Sequence, residues 1–379
     1  MPLDSHLSTL KLAAFRNYAS LSLSLAGRHI VLTGPNGAGK TNLMEAVSLL
    51  SPGRGLRRAQ LADVATAGTT GGFAVNATLE RAGDGFTIGT GTAGNDGSQR
   101  KVRINGTNAK TADELLDLCR VIWLTPATDG LFTGPAGDRR RFLDRMVLAI
   151  DPAHGRRAAD YEKAMRNRNR LLEDNAADAW LDAAEAQLAG LGSAIIAARQ
   201  ELAGLLAGIV AARESDPFPN AALSVEGELE QQARDGAVAG EIEDALIAML
   251  RDNRMRDRAA GRTLIGPHRA EFAIRHRQKD MPAALCSTGE QKALLIGLVL
   301  AHANLTRTIS GMAPIMLLDE IAAHLDPDRR AALFDQIDAV GGQAFMTGTD
   351  RNLFEALGAR AQFLHVEGGN VREDAEATE

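Results

Sequence analysis

The stretch that most constrains this chain runs from residue 30 to residue 50. Residues 30–32 are a short apolar run that is typical of a buried strand. Residues 34–41 then match the pattern G-x-x-x-x-G-K-[S/T] without a mismatch. Apolar residues recur at helical spacing over residues 43–50, which predicts a helix that begins at Lys40 and stops before Pro52. A strand, a glycine loop and a helix in this order predict a phosphate-binding loop.

Elementary electrostatics explains why such a loop holds phosphates. Its glycines let successive backbone N–H groups point into one concavity, and the helix dipole adds partial positive charge there. Lys40 can reach the β- and γ-phosphates of ATP, and Thr41 can offer its hydroxyl to Mg²⁺. A glycine-rich turn could instead be an ordinary loop, but the lysine, the hydroxyl and the flanking elements together favour a nucleotide site. The loop residues predicted to bind ATP are Gly34, Pro35, Asn36, Gly37, Ala38, Gly39, Lys40, Thr41 and Asn42.

A second group of residues far along the chain completes such a site. Residues 314–318 predict a buried strand that ends in Asp319 and Glu320. Asp319 would hold Mg²⁺ directly or through water. Glu320 is placed to polarise a water in line with the γ-phosphate, which is the role of a general base. Two acids at a strand end could also be a plain turn, but the phosphate loop makes catalysis the favoured interpretation, with Lys40 as the third catalytic residue.

Composition sets broad limits on the class of protein. Of the 379 residues, 45% are hydrophobic and 24% are charged, as in an ordinary soluble globular protein. We see no run of membrane-spanning length and no signal peptide at the N-terminus, so we expect no membrane partner. The two cysteines, Cys119 and Cys286, have neither metal-type nor redox spacing. A reducing cytoplasm is the expected location.

Charge is distributed unevenly along the chain. The formal net charge is −6, yet residues 139–170 and residues 251–279 each carry an excess of six positive charges. Such asymmetry suggests a surface that faces a polyanion. The alternative, that these arginines line solvated helix faces, remains open. The arginines predicted to contact DNA phosphates are Arg139, Arg140, Arg141, Arg166, Arg168, Arg254 and Arg258.

Periodicity divides the chain into three predicted domains, over residues 1–125, 126–261 and 262–379. The first contains alternating segments over residues 7–12 and 21–25, which predict half-buried strands, and three more over residues 73–79, 86–92 and 101–105, which predict an antiparallel meander. The second is helical over residues 138–150 and 156–174, followed by a long helix from residue 181 with apolar rows at a seven-residue period. A polar loop and a returning helix over residues 240–258 follow. These helices form either a protruding arm or a compact domain packed on the nucleotide-binding body.

The third domain contains a motif that resembles the signature of the ATP-binding-cassette (ABC) superfamily. Its residues are Ser287, Thr288, Gly289, Glu290 and Gln291, where Ser-Gly-Gly-Gln is usual. In that superfamily the signature of a second subunit completes the nucleotide site, which implies an ATP-dependent homodimer. Because 246 residues separate Lys40 from Ser287, the chain resembles the branch that contains the structural-maintenance-of-chromosomes (SMC) proteins.

Within that branch the chain is similar to the RecF family of bacterial recombination mediators, in nearly its whole length. The resemblance rests on residues 15–18, 37–46, 139–144, 166–172, 263–269 and 287–292. It implies an α/β fold with an ABC-type ATPase head. In that head a mixed sheet carries the P-loop and an antiparallel β subdomain is joined to it, and a helical arm domain is inserted into the head. It also adds Arg16 and Asn17 to the ATP-binding residues, and Asp326, Thr347 and Thr349 as D-loop and switch positions.

The function that the resemblance implies is ATP-dependent DNA repair. Such a protein dimerises with ATP and Mg²⁺, clamps double-stranded DNA near single-strand gaps, supports recombinase loading, and lets go after slow hydrolysis. RecR and RecO type mediators and gapped DNA are the implied partners, and the nucleoid is the implied location. A transporter-type cassette ATPase and an ATP-gated scaffold remain as alternatives. The Q-loop glutamine stays open, and His268 could lie near nucleotide or DNA or be a buried structural histidine.

Overall fold

A computed structural model describes residues 3–69, 71–93, 99–211, 218–323 and 325–374. The chain divides into two compact units. Unit 1 comprises Met1–Thr128 and Val299–Glu379, and unit 2 is Asp129–Leu298. The second boundary differs from the predicted one, because residues 262–298 belong to unit 2 and not to the nucleotide-binding body. The physical reason is strand pairing: Glu271–His276 pairs with Ala221–Glu226, a strand of the same unit.

The first sheet of unit 1 contains the predicted antiparallel meander as β4, β5 and β6, which β1 and β2 extend into one sheet. It has six strands in the order β2-β1-β4-β5-β6-β7, and every neighbouring pair is antiparallel. Alternate residues of the longer strands are buried, as the sequence pattern predicts. The strands are β1 Ser5–Phe15, β2 Tyr18–Ser24, β4 Ala74–Arg81, β5 Asp84–Thr92, β6 Arg100–Ile104 and β7 Thr107–Asn108.

The second sheet of unit 1 is mixed and carries the phosphate loop. Its order is β15-β14-β3-β13-β12-β8, with the five strands from β14 to β8 parallel and β15 antiparallel at one edge. The strands are β3 His29–Thr33, β8 Val121–Leu124, β12 Ile315–Leu318, β13 Ala344–Thr347, β14 Ala361–Glu367 and β15 Asn370–Glu373. The sequence also predicts a hairpin around residues 368–369 and a disordered acidic tail from residue 372. The hairpin is confirmed as β14 and β15, but the tail prediction begins too early, since Arg372 and Glu373 lie in β15. Residues 375–379 of that tail lie outside the described residues.

One hydrophobic core serves both sheets of unit 1. It contains Leu10 of β1, Ile30 of β3, Leu317 of β12 and Phe345 of β13, together with Met44 of the helix α1 Lys40–Ser48. The three central parallel strands, β3, β12 and β13, are buried along their whole length, as strands covered on both faces are. The helix α9 Pro327–Val340 follows β12, and α8 Thr288–Ser310 precedes it.

Unit 2 is mainly helical and has its own core. Its helices are α2 Ala136–Ile150, α3 His154–Glu173, α4 Asp178–Ala211, α5 Glu228–Arg234, α6 Ala239–Asp252 and α7 Arg254–Ala260. A three-stranded antiparallel sheet has the order β11-β10-β9, with β9 Ala221–Glu226, β10 Glu271–His276 and β11 Met281–Pro282. The strand β9 and the helix α5 replace the predicted polar loop, and β10 has no counterpart in the prediction. The helices α3, α4 and α6 pack around one apolar cluster.

The predicted seam of α4 is half right. The first row, Leu181, Leu188, Ile195, Leu202 and Ile209, is buried except for Ile209, which is half-buried. In the second predicted row, Ala184 is buried, Leu191 and Ala198 are half-buried and Leu205 is 39% exposed, while Ala212 lies outside the described residues. Two other rows at the same period are buried in the described helix: Glu185, Gly192, Arg199 and Leu206, and Ala189, Ile196, Ala203 and Val210. Two charged residues and a glycine hid the former row from an apolar pattern.

Among the described residues, two helices, α4 and α8, are long and apolar enough to cross a membrane by length and composition alone. The expectation that no run reaches this length is therefore wrong. The most apolar stretch of α8 is 72% buried within the protein, which is the behaviour of a core helix. The most apolar stretch of α4 is 39% buried, and part of it packs on neighbouring helices of unit 2.

Candidate functional site

The phosphate loop lies at the carboxyl end of β3 and leads directly into α1. Gly34 and Gly39 adopt φ values of 133° and 119°, which side-chain-bearing residues rarely do. A Cβ at Gly39 would lie 2.6 Å from both the Asn17 side-chain nitrogen and the Tyr18 hydroxyl. The loop is therefore pressed against the turn after β1, and only glycine fits at this position.

Lys40 lies folded over the loop. Its ammonium donates to the carbonyl oxygens of Gly34 at 2.6 Å and Pro35 at 2.9 Å. Burial lowers the pKa of Lys40, and the negative charges of Glu320 and Asp319 oppose that shift. The lysine thus sits between loop carbonyls and two carboxylates, in a position where anionic oxygens could replace the carbonyls as its partners.

Asp319 is the centre of a hydroxyl–carboxylate cluster. It is 7% exposed and follows β12, and its carboxylate accepts from the Thr41 hydroxyl at 3.2 Å and from the Thr347 hydroxyl at 2.6 Å. The strands β3, β12 and β13 are parallel neighbours, so their carboxyl ends meet at one edge of the sheet. The predicted residues Thr41, Asp319 and Thr347 are thereby brought together. In the sequence, Thr41 lies 278 residues and Thr347 lies 28 residues from Asp319.

Glu320 follows Asp319 in a left-handed backbone conformation, with φ of 51°. Its backbone N–H donates to the Thr347 hydroxyl at 2.9 Å, which fixes this turn, and its side chain is solvent-exposed. A positive φ is uncommon at residues other than glycine and asparagine, and residues with this strained conformation cluster at functional sites. Thr347 therefore supports both acids. Thr349 is exposed two residues later, so of the two predicted switch positions only Thr347 reaches the carboxylates.

The donor set at this edge fits a hard divalent cation. The Thr41 hydroxyl and the Asp319 carboxylate supply oxygen ligands only, as Mg²⁺ prefers. Across the residues that the structure describes, no group of three His, Cys, Asp or Glu side chains could cage a metal. Mg²⁺ sites of this kind use one or two protein oxygens and complete their shell with waters and substrate phosphates.

Sequence reasoning missed a network that supports the loop. Glu45 of α1 is 1% exposed and accepts two hydrogen bonds from Arg16, at 2.6 and 2.8 Å, and one from Arg57 at 2.9 Å. Asn17 donates to the Ala38 carbonyl at 3.1 Å. Arg16 thus holds the helix behind the loop, and Asn17 holds the loop itself. Glu45 lies opposite the apolar positions 43, 46, 47 and 50 of the predicted helix, so the periodicity gave no signal for this network.

The hydrogen bonds of Asn42 continue the network to the surface. Its side chain donates to Asn17 Oδ1 at 2.7 Å and accepts from Arg57 at 2.5 Å. The predicted residues Arg16, Asn17 and Asn42 therefore lie together beside the loop.

The signature residues belong to unit 2 and form the start of α8. Glu290 accepts from both the Ser287 hydroxyl, at 2.9 Å, and the Ser287 backbone N–H, at 3.0 Å. Hydrogen bonding from Lys279 and from Ser287 lowers the pKa of Glu290 to about 2. Gln291 donates to the Cys286 carbonyl at 2.9 Å, whereas Thr288 and Gly289 are exposed. The serine therefore stands at an ordered, accessible helix N-terminus.

Asp326 caps the helix α9. Its side chain accepts from the Arg329 backbone N–H at 2.9 Å, with Pro327 at the first helical position. This contact gives the aspartate a local structural task, and its D-loop role stays a prediction.

The prediction that Arg168 binds DNA is wrong. The residue is fully buried, and its guanidinium donates to Glu185 at 3.0 Å, Asp257 at 2.6 Å, Thr263 at 3.0 Å and the Leu250 carbonyl at 2.7 Å. No side chain in this position can reach a DNA phosphate. Arg168 instead joins α3, α4 and α7 from inside unit 2.

Two further predicted arginines have internal partners. Arg139 makes a paired contact with Glu271, at 2.5 and 2.9 Å, and donates to the Gly134 carbonyl at 2.6 Å. Arg254 is 14% exposed and donates to Glu185 at 2.5 and 3.1 Å. Since their charges are neutralised inside the protein, the predicted role in DNA binding does not suit them.

The other four predicted arginines are more accessible. Arg140 and Arg258 are half-buried, and each donates to a backbone carbonyl. Arg141 and Arg166 are exposed and pair with acids three and four residues away on their own helices. DNA contact by these four stays a prediction.

His268 behaves as a structural histidine. One ring nitrogen contacts the Tyr161 hydroxyl at 2.8 Å, and the other lies 3.0 Å from the Thr263 carbonyl. Burial lowers the pKa of His268. Both nitrogens are therefore engaged within unit 2, which favours the structural alternative.

Comparisons with known proteins agree with this geometry. The family model described as "RecF/RecN/SMC N terminal domain" matches residues 6–371. The DNA replication and repair protein RecF of Rhizobium meliloti (strain 1021) is 60% identical over 374 residues, covering 98% of this chain and 100% of that protein. RecF of Brucella suis biovar 1 (strain 1330) is 62% identical over 367 residues, covering 96% and 94% respectively.

Solved structures share the fold. The recombination mediator protein RecF-ATPrS in the RecFOR pathway superposes with a TM-score of 0.86 at 22% identity, over 99% of this chain and 100% of that one. An Smc head domain with an extended coiled coil, derived from Pyrococcus furiosus, superposes with a TM-score of 0.53 at 15% identity, over 97% and 96%. The predicted ABC-type head with a helical insertion is thereby confirmed. The chain belongs to the RecF family of DNA replication and repair proteins.

Proposed function

We propose that this protein is an ATP-dependent DNA-binding repair ATPase that acts as a recombination mediator. The observation that carries the proposal is the convergence of Lys40, Thr41, Asp319, Glu320 and Thr347 at one edge of the parallel sheet. A glycine loop at a helix N-terminus, with a lysine and two adjacent acids, suits a triphosphate better than any other ligand.

Each side chain has a definite task in hydrolysis. Backbone N–H groups of the loop bind phosphate oxygens, and Lys40 leaves the loop carbonyls to pair with the β- and γ-phosphates. Thr41 and Asp319 would hold Mg²⁺, which would neutralise charge on the phosphates. Glu320 accepts a proton from the attacking water, and Thr347 keeps both acids oriented.

Ser287 lies outside unit 1, and we propose that it completes the nucleotide site of a second copy. Its position at the start of α8 gives it the helix dipole that favours an anion. Two nucleotides would then join two copies in a two-fold dimer. That dimer would clamp double-stranded DNA near single-strand gaps, work with RecR and RecO type mediators in recombinase loading, and release DNA after slow hydrolysis. Its place would be the cytoplasm, at the nucleoid.

Nucleotide-gated DNA binding tests the proposal directly. Binding of a double-stranded oligonucleotide is measured without nucleotide, with ADP and with ATP, at two salt concentrations. The same series is run with Lys40→Ala and with Lys11→Ala, an exposed lysine on β1 that serves as the matched control. Binding that requires ATP, weakens with salt and disappears only in Lys40→Ala supports the proposal. Binding that ignores nucleotide, or no binding at all, refutes it.

A further inference from the structure

A cleft of about 660 Å³ lies between the C-terminal half of α3 and the end of α7, entirely within unit 2. Four arginines line it: Arg166 and Arg170 from α3, Arg258 from α7, and Arg262 just after α7. Arg170 and Arg262 lie in the two basic stretches predicted to face a polyanion but were not among the arginines predicted individually to contact DNA phosphates. Folding brings them together with Arg166 and Arg258, which were.

The acids that line the cleft do not cancel this charge. Asp257 is fully buried, and its carboxylate already accepts from Arg168 at 2.6 Å, Asn253 at 2.8 Å and the Leu264 backbone N–H at 3.0 Å. Arg168, which is buried and does not line the cleft, neutralises Asp257. Glu173 is then the one acid of the lining left to offset the charge of its four arginines. The cleft therefore keeps an excess of about three positive charges.

The guanidinium groups are available. Arg170 and Arg262 are exposed, and neither side chain has an ion pair or hydrogen bond within the described part of the chain. Arg166 pairs with Glu162 at 3.6 Å, and both side chains are about two-thirds exposed, so this contact is weak. Arg258 donates to the Leu172 carbonyl at 2.9 Å and is held in place by it.

A simpler explanation of the arginine cluster is that α3 and α7 both end here, and cations stabilise the C-termini of helices. That explanation suits Arg258, which donates to a carbonyl at the end of α3. The end of α7 is closed by its own backbone, since Gly261 has φ of 64° and the Arg262 N–H donates to the Asp257 carbonyl at 3.1 Å. The side chain of Arg262 therefore caps nothing. Arg170 lies in the last turn of α3, but within the described residues its side chain makes no hydrogen bond to that helix's carbonyls.

The shape of the cleft favours a nucleic-acid backbone over a protein partner. Protein interfaces are centred on apolar and aromatic anchors. The α7 wall of this cleft is made of Ala259, Ala260 and Gly261, and no aromatic residue lines it. Small side chains let a backbone approach closely, and arginine forks match phosphate oxygens.

We propose that this cleft holds consecutive backbone phosphates of the bound DNA, through Arg170 and Arg262 with Arg166 and Arg258 beside them. The proposal rests on the DNA binding proposed above and assigns it to named residues. Contacts of this kind carry no sequence information and are released by salt.

The test compares two matched double variants of the full chain. Arg170→Ala/Arg262→Ala removes the two unpartnered arginines of the cleft. Arg156→Ala/Arg256→Ala removes two exposed arginines from α3 and α7 that do not line it. Double-stranded DNA affinity is measured with ATP over a range of salt, beside ATP hydrolysis and thermal stability.

We expect the cleft variant to bind DNA at least about tenfold more weakly at low salt, with the slope of log Kd against log salt reduced by about 1 to 2. The control variant should stay within about twofold of wild type, and ATP hydrolysis without DNA should be unchanged in both. Arg170→Lys/Arg262→Lys, which keeps the charge, should recover most of the affinity and the slope.

Failure of this assignment is distinguishable from failure of the proposed function. If wild type binds DNA and the cleft variant binds equally well with an unchanged slope, the cleft is not the phosphate site. The same conclusion follows if the lysine variant is as weak as the alanine variant, because charge is then not the cause. If wild type binds no DNA under any nucleotide condition, the proposed function itself is refuted.

Discussion

Arg168 offers a sharp test of the distinction between a DNA contact and a structural ion pair. Its guanidinium makes four hydrogen bonds at full burial, to Glu185, Asp257, Thr263 and the Leu250 carbonyl. Arg168→Ala removes all four hydrogen bonds. The buried carboxylates of Glu185 and Asp257 then each lose one cationic partner. Breaking a buried pair in this way costs about 3–5 kcal/mol of unfolding free energy.

The remaining contacts set the size of the loss within that range. Glu185 keeps two hydrogen bonds from Arg254, at 2.5 and 3.1 Å. Asp257 keeps those from Asn253 and the Leu264 N–H. Neither carboxylate is left without a partner, so we expect about 3–4 kcal/mol. For a unit of this size that lowers the melting temperature by roughly 6–15 °C.

Hydrogen exchange resolved by mass spectrometry is the assay, because it reports each unit separately. In Arg168→Ala, exchange should accelerate in α3, α4 and α7, whereas the strands β3 and β12 of unit 1 should be unaffected. Arg166→Ala, two residues away on the surface of α3, should change the stability by no more than about 0.5 kcal/mol. Arg168→Lys should recover part of the loss, since it keeps the charge without the planar fork.

Two results would refute this reasoning. One is unchanged exchange in α3, α4 and α7. The other is a folded Arg168→Ala protein whose DNA affinity has a reduced salt slope, because that slope counts phosphate contacts and a buried arginine makes none.

Three further predictions follow from the nucleotide site and from unit 2. Glu320→Gln should retain ATP binding but lower hydrolysis by roughly 10²–10⁴-fold, measured by phosphate release, and should prolong the DNA-bound state. Gly39→Ala should lose ATP binding and about 1–3 kcal/mol of stability, measured by nucleotide titration and thermal melting, because its Cβ would lie 2.6 Å from the Tyr18 hydroxyl at a φ of 119°. Burial disfavours the charged form of Asp144, but hydrogen bonds from His154 and Arg199 outweigh it and lower its pKa from 3.8 to about 2. A depressed carboxyl pKa contributes stability that is complete above about pH 5 and is lost as the pH falls toward 2, here about 2 kcal/mol, which acid unfolding of wild type and Asp144→Asn would measure.

Matched substitutions serve as controls for these three. Glu355→Gln, at an exposed glutamate of unit 1, should hydrolyse ATP normally. Gly204→Ala, in an open position on α4, should stabilise the protein by about 0.5–1 kcal/mol. Asp160→Asn, at an exposed acid of α3, should leave the acid transition in place. The predictions are contradicted by normal hydrolysis in Glu320→Gln, by full ATP affinity in Gly39→Ala, or by an unchanged acid transition in Asp144→Asn.

Much of the site could be predicted because its chemistry is local in sequence. The loop before Lys40 and the acids after β12 each carry a strand, a turn and a fixed set of residue types. The antiparallel meander was equally accessible, since one buried face imposes strict alternation. The buried row of α4 that contains Glu185 and Arg199 was not, because these two are buried only by virtue of distant partners. A pattern that counts apolar residues leaves such a row out.

The sequence by itself predicted the phosphate loop and the two carboxylates after β12, because each is written in neighbouring residues and their spacing, and the resemblance to a known family implied the fold class. Tertiary structure decided that Thr347 supports the acids, that Glu45 anchors the loop helix, and that Arg168 is internal while Arg170 and Arg262 face a cleft. An arginine has the same charge in a core as on a surface, and the sequence around it is equally basic in both cases. Whether that charge is available to a ligand depends on carboxylates that approach from distant parts of the chain, and only the folded structure specifies them.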